Sequence, residues 1–221
     1  MRVALFDFDG TLYPGQTFDV MLRFLKEHPK YNAHYRKFMS RFRLTYIAYK
    51  LKLVSKDNMR ASAMQQYIYT FKGNTRDEIL SYFKELSHEI SKDLYTPLTD
   101  KVKRFKSEGI YTMVISGAYT ELLEAIFEDK FDHLIGTEIT YKDNHIDTTV
   151  PLTHMQSEHK VTQIYEHLED KEIDWANSYA FSDSITDLDM LNLVGNAYVI
   201  QPDPALRAHA EKQRWEIITN E

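Results

Sequence analysis

Short β-rich runs alternate with helical stretches along most of this chain, and the alternation is interrupted once, by a long block with helical spacing throughout. Val3–Phe6 and residues 111–115, 179–181, 197–200 and 215–218 have the length and composition of buried strands, and residues 99–107 and 160–168 read as helices between them. Such alternation predicts βαβ units, hence an α/β, Rossmann-like fold with a mostly parallel sheet flanked by helices. Residues 17–93 look helical without a break. Within them Ser55 or Asp57 would cap a helix over 57–71, and Thr75 with Glu78 has capping-box spacing ahead of 75–86. Residues 134–141 and 145–150, joined by Lys142-Asp143-Asn144, predict a small β-hairpin appended to the sheet.

One strand, a helical block and then the rest of a sheet is an insertion architecture. Its boundaries fall near Tyr13-Pro14-Gly15 and near residues 94–97, which gives an α/β core of residues 1–14 and 95–221 and an all-helical insertion of residues 15–94. A chain of 221 residues is long enough to bury a core of that kind. It contains no cysteine, which excludes disulfide frameworks, thiolate zinc sites, iron–sulfur clusters and cysteine nucleophiles together. The opening apolar run meets Asp7 too soon for a signal peptide, and no stretch has the apolar length of a membrane span, so a cytoplasmic protein is expected. A net charge of −6 argues against nucleic acid as a partner of the molecule as a whole. No glycine-rich nucleotide loop is present, and the chain carries no signal for oligomeric state.

In open parallel sheets ligands bind beyond the carboxyl ends of the strands, so the polar residues that follow each strand-like run are the ones to weigh. Four places stand out: Asp7-Phe8-Asp9-Gly10-Thr11-Leu12, Ser116-Gly117, Lys160, and Ser182-Asp183-Ser184-Ile185-Thr186-Asp187. Taken singly, each has an ordinary explanation as a turn, a helix cap or a surface lysine. Their combination does not. Asp-x-Asp-Gly-Thr arises by chance in a chain of this size on the order of once in a thousand sequences, and here it ends the first strand, with the others following in order.

These four motifs resemble the signatures of the haloacid dehalogenase superfamily of phosphatases. The run from Phe181 to Leu191 is most similar to the branch of the phosphoserine phosphatases, in which a helical cap is inserted between the first and second signatures. The resemblance implies a Mg2+-dependent phosphatase acting on a small phosphomonoester. Asp7 would be the nucleophile that becomes an aspartyl-phosphate, and Asp9 the general acid and base. Asp7 and Asp183 would bind Mg2+ through their side chains and Asp9 through its backbone oxygen. Ser116, Gly117 and Lys160 would hold the phosphate, with Thr11 and Thr186 adding hydroxyl donors. Asp187 would orient Lys160 or the metal waters from behind. Two departures are visible. Ser182 stands where this branch usually has glycine, and Gly15-Gln16-Thr17-Phe18 lacks the early cap acid that would receive a substrate ammonium, which argues against phosphoserine itself.

No Asp or Glu occurs between His28 and Lys56, while Lys30, Arg36, Lys37, Arg41, Arg43, Lys50, Lys52 and Lys56 all do. Interleaved with Tyr31, Tyr35, Phe38, Phe42, Leu44, Tyr46, Ile47, Tyr49 and Leu51, they predict one or two amphipathic helices with a basic polar face. That face admits three readings: a solvated surface, steering of an anionic substrate, or contact with anionic lipid. The histidines, among them His28, His34, His133, His145, His154 and His159, form no tight ligand pair and read as structural or exposed. Met21, Met39, Met59, Met64 and Met190 read as core filler. Besides hydrolysis, two other readings suit the motifs: a phosphotransferase or mutase using the same aspartyl-phosphate, and a non-catalytic binding module that retains the fold.

Overall fold

The structure, a computed structural model, describes residues 1–155 and 157–219. Its centre is a six-stranded sheet in which every pairing is parallel, in the order β3-β2-β1-β6-β7-β8. The strands are β1 (Val3–Phe6), β2 (Tyr111–Tyr119), β3 (His133–Thr137), β6 (Tyr179–Ser182), β7 (Asn196–Ile200) and β8 (Glu216–Ile218). A separate antiparallel ribbon pairs β4 (Tyr141–Lys142) with β5 (His145–Ile146). The helices are α1 (Thr17–Glu27), α2 (Asn32–Lys50), α3 (Lys56–Tyr69), α4 (Arg76–Ser91), α5 (Thr96–Ser107), α6 (Thr120–Phe127), α7 (Ser157–Leu168), α8 (Leu188–Leu191) and α9 (Pro204–Gln213).

Alternation along the strands divides the molecule into layers. Ala4 and Phe6 of β1, with Val114 and Phe181, face a hydrophobic cluster built with α1, α3, α4, α5 and α6. Val3 and Leu5, with Met113, Ile115, Ala180 and Val199, face the opposite cluster, which α7, α8 and α9 complete through Ile164, Leu168, Met190, Leu191, Leu206 and Ala210. Because β1 lies between β2 and β6, the direction of crossover reverses at β1, and the crevice beyond the ends of β1 and β6 is where such a sheet binds ligands.

The helical block between β1 and β2 is continuous with the first cluster. In α4 the buried residues Ile79, Tyr82, Phe83, Leu86 and Ile90 recur at helical spacing, behind a capping box in which Thr75 and Glu78 exchange hydrogen bonds. Ser55 caps α3, accepting the Asn58 N–H at 3.1 Å. The Tyr67 and Tyr82 hydroxyls meet at 2.6 Å, and the hydroxyl of Tyr119, the last residue of β2, donates to the Met64 carbonyl on α3 at 2.5 Å. The two connections between block and sheet touch, since the Tyr95 N–H donates to the Leu12 carbonyl at 2.8 Å.

Several expectations are corrected. Residues 134–141 are not one arm of a hairpin: their first half lies in the parallel strand β3, and only Tyr141–Lys142 pairs with His145–Ile146. An eight-residue apolar run does not show where one strand stops, and here pairing with β2 decides it. β2 runs on to Tyr119 through a register irregularity, so Ser116 and Gly117 lie within the strand rather than after it. The basic stretch forms a single helix, α2, whose first half is amphipathic as expected, whereas Leu44, Tyr46, Ile47 and Leu51 are exposed. Met21, Met64 and Met190 are core residues, but Met59 is half-buried and Met39 is exposed. Among the described residues no helix is long and apolar enough to cross a membrane.

Candidate active site

β1 delivers Asp7 to the crevice. It is only 6 % exposed, and its N–H is fixed by the Phe181 carbonyl of the neighbouring strand at 2.9 Å. The chain then turns sharply through Gly10, whose φ of +82° suits glycine and few other residues. A Cβ there would fall 2.1 Å from Asp183 Oδ2, so the turn after β1 and the turn after β6 are packed against each other with no room for a side chain.

Lys160, in the first turn of α7, reaches between two of the carboxylates. Its Nζ donates to Asp7 Oδ1 at 2.7 Å and lies 2.8 Å from Asp187 Oδ1, and all three residues are buried. Burial opposes the ammonium charge, but Asp187 and Asp7 outweigh it and hold the pKa above that of an ordinary lysine. Asp187 is fixed from its other oxygen, which accepts the Ser182 hydroxyl at 2.7 Å. A glycine at position 182 would have no such donor.

The carboxylates outnumber the cations, and their protonation reflects it. Burial pushes the Asp7 pKa well up, with Asp187 and Asp183 adding repulsion and Lys160 pulling the other way. Asp183 is pushed up to about 7 by burial and by the charges of Asp187 and Asp9. Asp9 is pushed up to about 6 by burial, against the pull of Thr17, Lys160 and Arg60. Asp9 Oδ1 accepts both the backbone N–H of Thr17, at 2.8 Å, and the Thr17 hydroxyl. Thr17 opens α1, so this carboxylate sits at a helix N-terminus where free N–H groups favour negative charge.

Ser116 is buried, and its oxygen accepts the Ala118 N–H at 3.1 Å, which leaves its proton to give elsewhere. The Gly117 carbonyl accepts the Thr137 hydroxyl at 2.8 Å. Since Thr137 has spent its proton there, its contact with His154 Nδ1 at 3.1 Å makes His154 the donor and leaves Nε2 an acceptor. The His154 ring lies against Gly117, where a Cβ would come within 2.9 Å of Cε1, and burial lowers the imidazole pKa to about 4. His154 is therefore neutral beside Gly117 of β2. The Thr11 hydroxyl is buried and, among the described residues, has no hydrogen-bond partner. Thr186 lies apart: it is exposed, and its hydroxyl bonds Ser184 within their own turn at 3.0 Å.

Reading the sequence alone passes over Thr17, Arg60 and Asp203, and takes His154 only as a structural or exposed histidine. Asp203 accepts the Ile185 N–H at 2.8 Å, so it holds the turn that carries Asp183 and Asp187, and it also caps α9. Asp203-Pro204 is a readable helix start, but its grip on residue 185 is not local. Arg60 is exposed on α3, and its positive field reaches Asp9 and His154.

Known proteins resemble this chain in sequence or in fold. A probable phosphatase of Mycobacterium tuberculosis is 25 % identical over 188 residues, which cover 76 % of this chain and 65 % of that protein, so the chain spans less than two thirds of its relative's length. A Bordetella pertussis protein of unknown function has the same fold at a TM-score of 0.77 and 22 % identity, over 98 % of this chain and 97 % of its own. A phosphoserine phosphatase solved as a phospho-aspartyl intermediate analogue superposes at a TM-score of 0.64 and 16 % identity, over 100 % of this chain and 93 % of its own. The sequence model of haloacid dehalogenase-like hydrolases matches residues 4–192, and the chain belongs to that family.

Proposed function

We propose that the protein hydrolyses a small phosphomonoester through Asp7. The observation that carries this reading is the buried chain Asp7–Lys160–Asp187, with Asp183 pressed against Gly10 beside it. It places a carboxylate, an ammonium and two supporting carboxylates in one water-poor crevice, as in-line phosphoryl transfer requires. The relative named as a probable phosphatase and the neighbour solved as a phospho-aspartyl analogue support it.

The excess of negative charge is the test of whether a cation belongs here. Asp7 and Asp183 are both driven toward their neutral forms, with Lys160 the ammonium between the carboxylates, and a hard divalent ion with oxygen ligands suits that donor set. Among the described residues no three metal-ligating side chains form a ready cage, so the fit rests on Asp7, Asp183 and the Asp9 carbonyl. Mg2+ held there would neutralise charge between an anionic nucleophile and an anionic ester.

Asp7 attacks phosphorus as the bond to the leaving oxygen breaks, and Asp9, with its raised pKa, gives its proton to that oxygen. Ionised Asp9 then takes a proton from water, whose oxygen attacks the aspartyl-phosphate and restores Asp7. Ser116 donates its free proton to a phosphate oxygen beside Gly117, Lys160 balances the charge on Asp7 and the transferring group, and buried Thr11 offers its unpartnered hydroxyl. Residues 15–94 cover this crevice as a cap on the core of residues 1–14 and 95–221. Within that cap Arg60, whose field reaches Asp9, takes the anion-steering role rather than Arg41 or Arg43 on the exposed face of α2.

Hydrolysis of an aryl phosphate with Mg2+ tests the reading. The wild type is expected to release phosphate without need of an acceptor, chelation to abolish it, and Asp7→Asn to lower it by at least about a thousandfold. Dependence on an acceptor would make the protein a phosphotransferase. A wild type as inert as Asp7→Asn across a broad panel would make it a binding module.

A further inference from the structure

The exposed face of α2 has a composition that the site does not use. Its exposed residues are Asn32, Arg36, Lys37, Met39, Ser40, Arg41, Arg43, Leu44, Tyr46, Ile47 and Lys50: five cations, four apolar or aromatic residues, an asparagine and a serine. No acid lies between His28 and Lys56 to offset them, and among the described residues none of these five cations pairs with a carboxylate. The rest of the chain carries the acidic excess that makes the net charge −6, so the basic charge of residues 30–56 stands against an acidic remainder. Lys37 and Arg41 also line, with His34 and Lys72, a groove of about 360 Å³ with no acidic residue in its wall.

The apolar residues are concentrated where the cations end. Leu44 is 72 % exposed, and the loop that follows α2 adds Leu51 at 65 % and Leu53 at 75 %, with Ile47 and Tyr46 beside them. They lie on the last turns of α2 and in the connection from α2 to α3, next to Lys50 and Lys52 in the chain. Nucleic acid would reward the cations but give these leucines nothing to enter, and a rigid protein partner would have to supply a pocket for each. A lipid surface rewards both parts: anionic headgroups attract the basic face, and the boundary of the acyl chains accepts isolated aliphatic side chains.

We propose that the exposed face of α2 and the connection at Leu51–Leu53 form a docking surface for an anionic phospholipid bilayer, on which the protein lies peripherally with its acidic remainder turned away. The inference does not depend on the chemistry assigned to Asp7.

Flotation of the full chain with vesicles tests it. The wild type is expected to float with phosphatidylcholine vesicles containing about a third phosphatidylglycerol and not with phosphatidylcholine alone. Arg41→Ala/Arg43→Ala/Lys50→Ala should lower the partition coefficient by about a hundredfold, at about 1 kcal/mol per basic residue near the surface. Leu44→Ser/Ile47→Ser/Leu51→Ser/Leu53→Ser should lower it by at least about tenfold with every charge retained. Because the chain has no cysteine, Leu51→Cys accepts a single environment-sensitive fluorophore, whose emission should shift to the blue on anionic vesicles, while the same label at Lys212→Cys on α9 stays unchanged. Circular dichroism of each variant establishes that it is folded. A wild type that does not float at low salt overturns the proposal. So does a serine variant that floats as well as wild type, or a label at position 51 that shifts with a polyanion such as heparin and not with vesicles.

Discussion

Gly10 and Asp183 approach so closely that a single methyl group cannot stand between them: a Cβ on Gly10 would lie 2.1 Å from Asp183 Oδ2. With φ at +82°, any other residue at position 10 is also conformationally strained. Gly10→Ala is therefore expected to push Asp183 out of the crevice, lowering both Mg2+ affinity and turnover at least about a hundredfold and stability by about 2 kcal/mol. Calorimetric titration with Mg2+ together with urea unfolding checks this, and a variant with unchanged metal affinity would mean that the two turns move independently.

Much of this geometry was legible in the sequence because it depends on order along the strands. Asp7, Ser116 and Asp183 follow or end runs of buried apolar residues, and a parallel sheet brings such positions to one edge. Lys160 lies 153 residues from Asp7, and motif resemblance rather than spacing linked them. What stayed hidden depends on non-local pairing. Nothing in residues 134–141 says that β3 ends at Thr137, since partners on β2 set that limit. The second half of α2 has the apolar content of a packed face, but the neighbouring elements cover only Phe38 fully and leave Leu44 and Ile47 outside. Asp203 caps α9 with one oxygen, and its second oxygen steadies a turn far back in the chain.

Ser182 departs from the residue usual in this branch, and its hydroxyl has a definite task. It donates to Asp187 Oδ2 at 2.7 Å while the other oxygen of Asp187 faces Lys160. Ser182→Ala removes a buried hydrogen bond to a charged group and is expected to cost about 1.5–3 kcal/mol in urea unfolding. Turnover should fall about tenfold, because Asp187, which aims Lys160 at Asp7, loses the hydroxyl that fixes it. Loss of neither quantity would show that packing alone holds Asp187.

Thr17 links the proposed acid and base to the helical block. Its side-chain and backbone hydrogen bonds both lower the Asp9 pKa, which burial nevertheless holds up at about 6. Thr17→Val keeps the shape and the backbone bond but removes the hydroxyl, so the Asp9 pKa should rise further. Titration of the labelled carboxyl carbon by NMR reads this directly. The ionisation governing water activation in the pH–rate profile should move to higher pH with it, and a carboxyl that titrates as in wild type would exclude Thr17 as a tuning residue.

Glu121 offers a test of stability away from the crevice. It lies buried in the first turn of α6, with one carboxyl oxygen lacking a partner among the described residues and the Tyr141 hydroxyl as a polar neighbour, and burial pushes its pKa up from 4.5 to about 7. Between those two values the unfolded chain ionises this group while the folded protein keeps it protonated, so the folded state binds more protons and stability falls as pH rises through that window. A shift of that size corresponds to a loss of about 3 kcal/mol, complete somewhat above pH 7. Glu121→Gln, which has no proton to lose, is expected to be more stable than wild type by about 1–3 kcal/mol at pH 8, with the advantage vanishing near pH 4.5. Urea unfolding of both proteins across that range measures the difference, and a gap that does not change with pH would place the Glu121 ionisation outside the folding equilibrium.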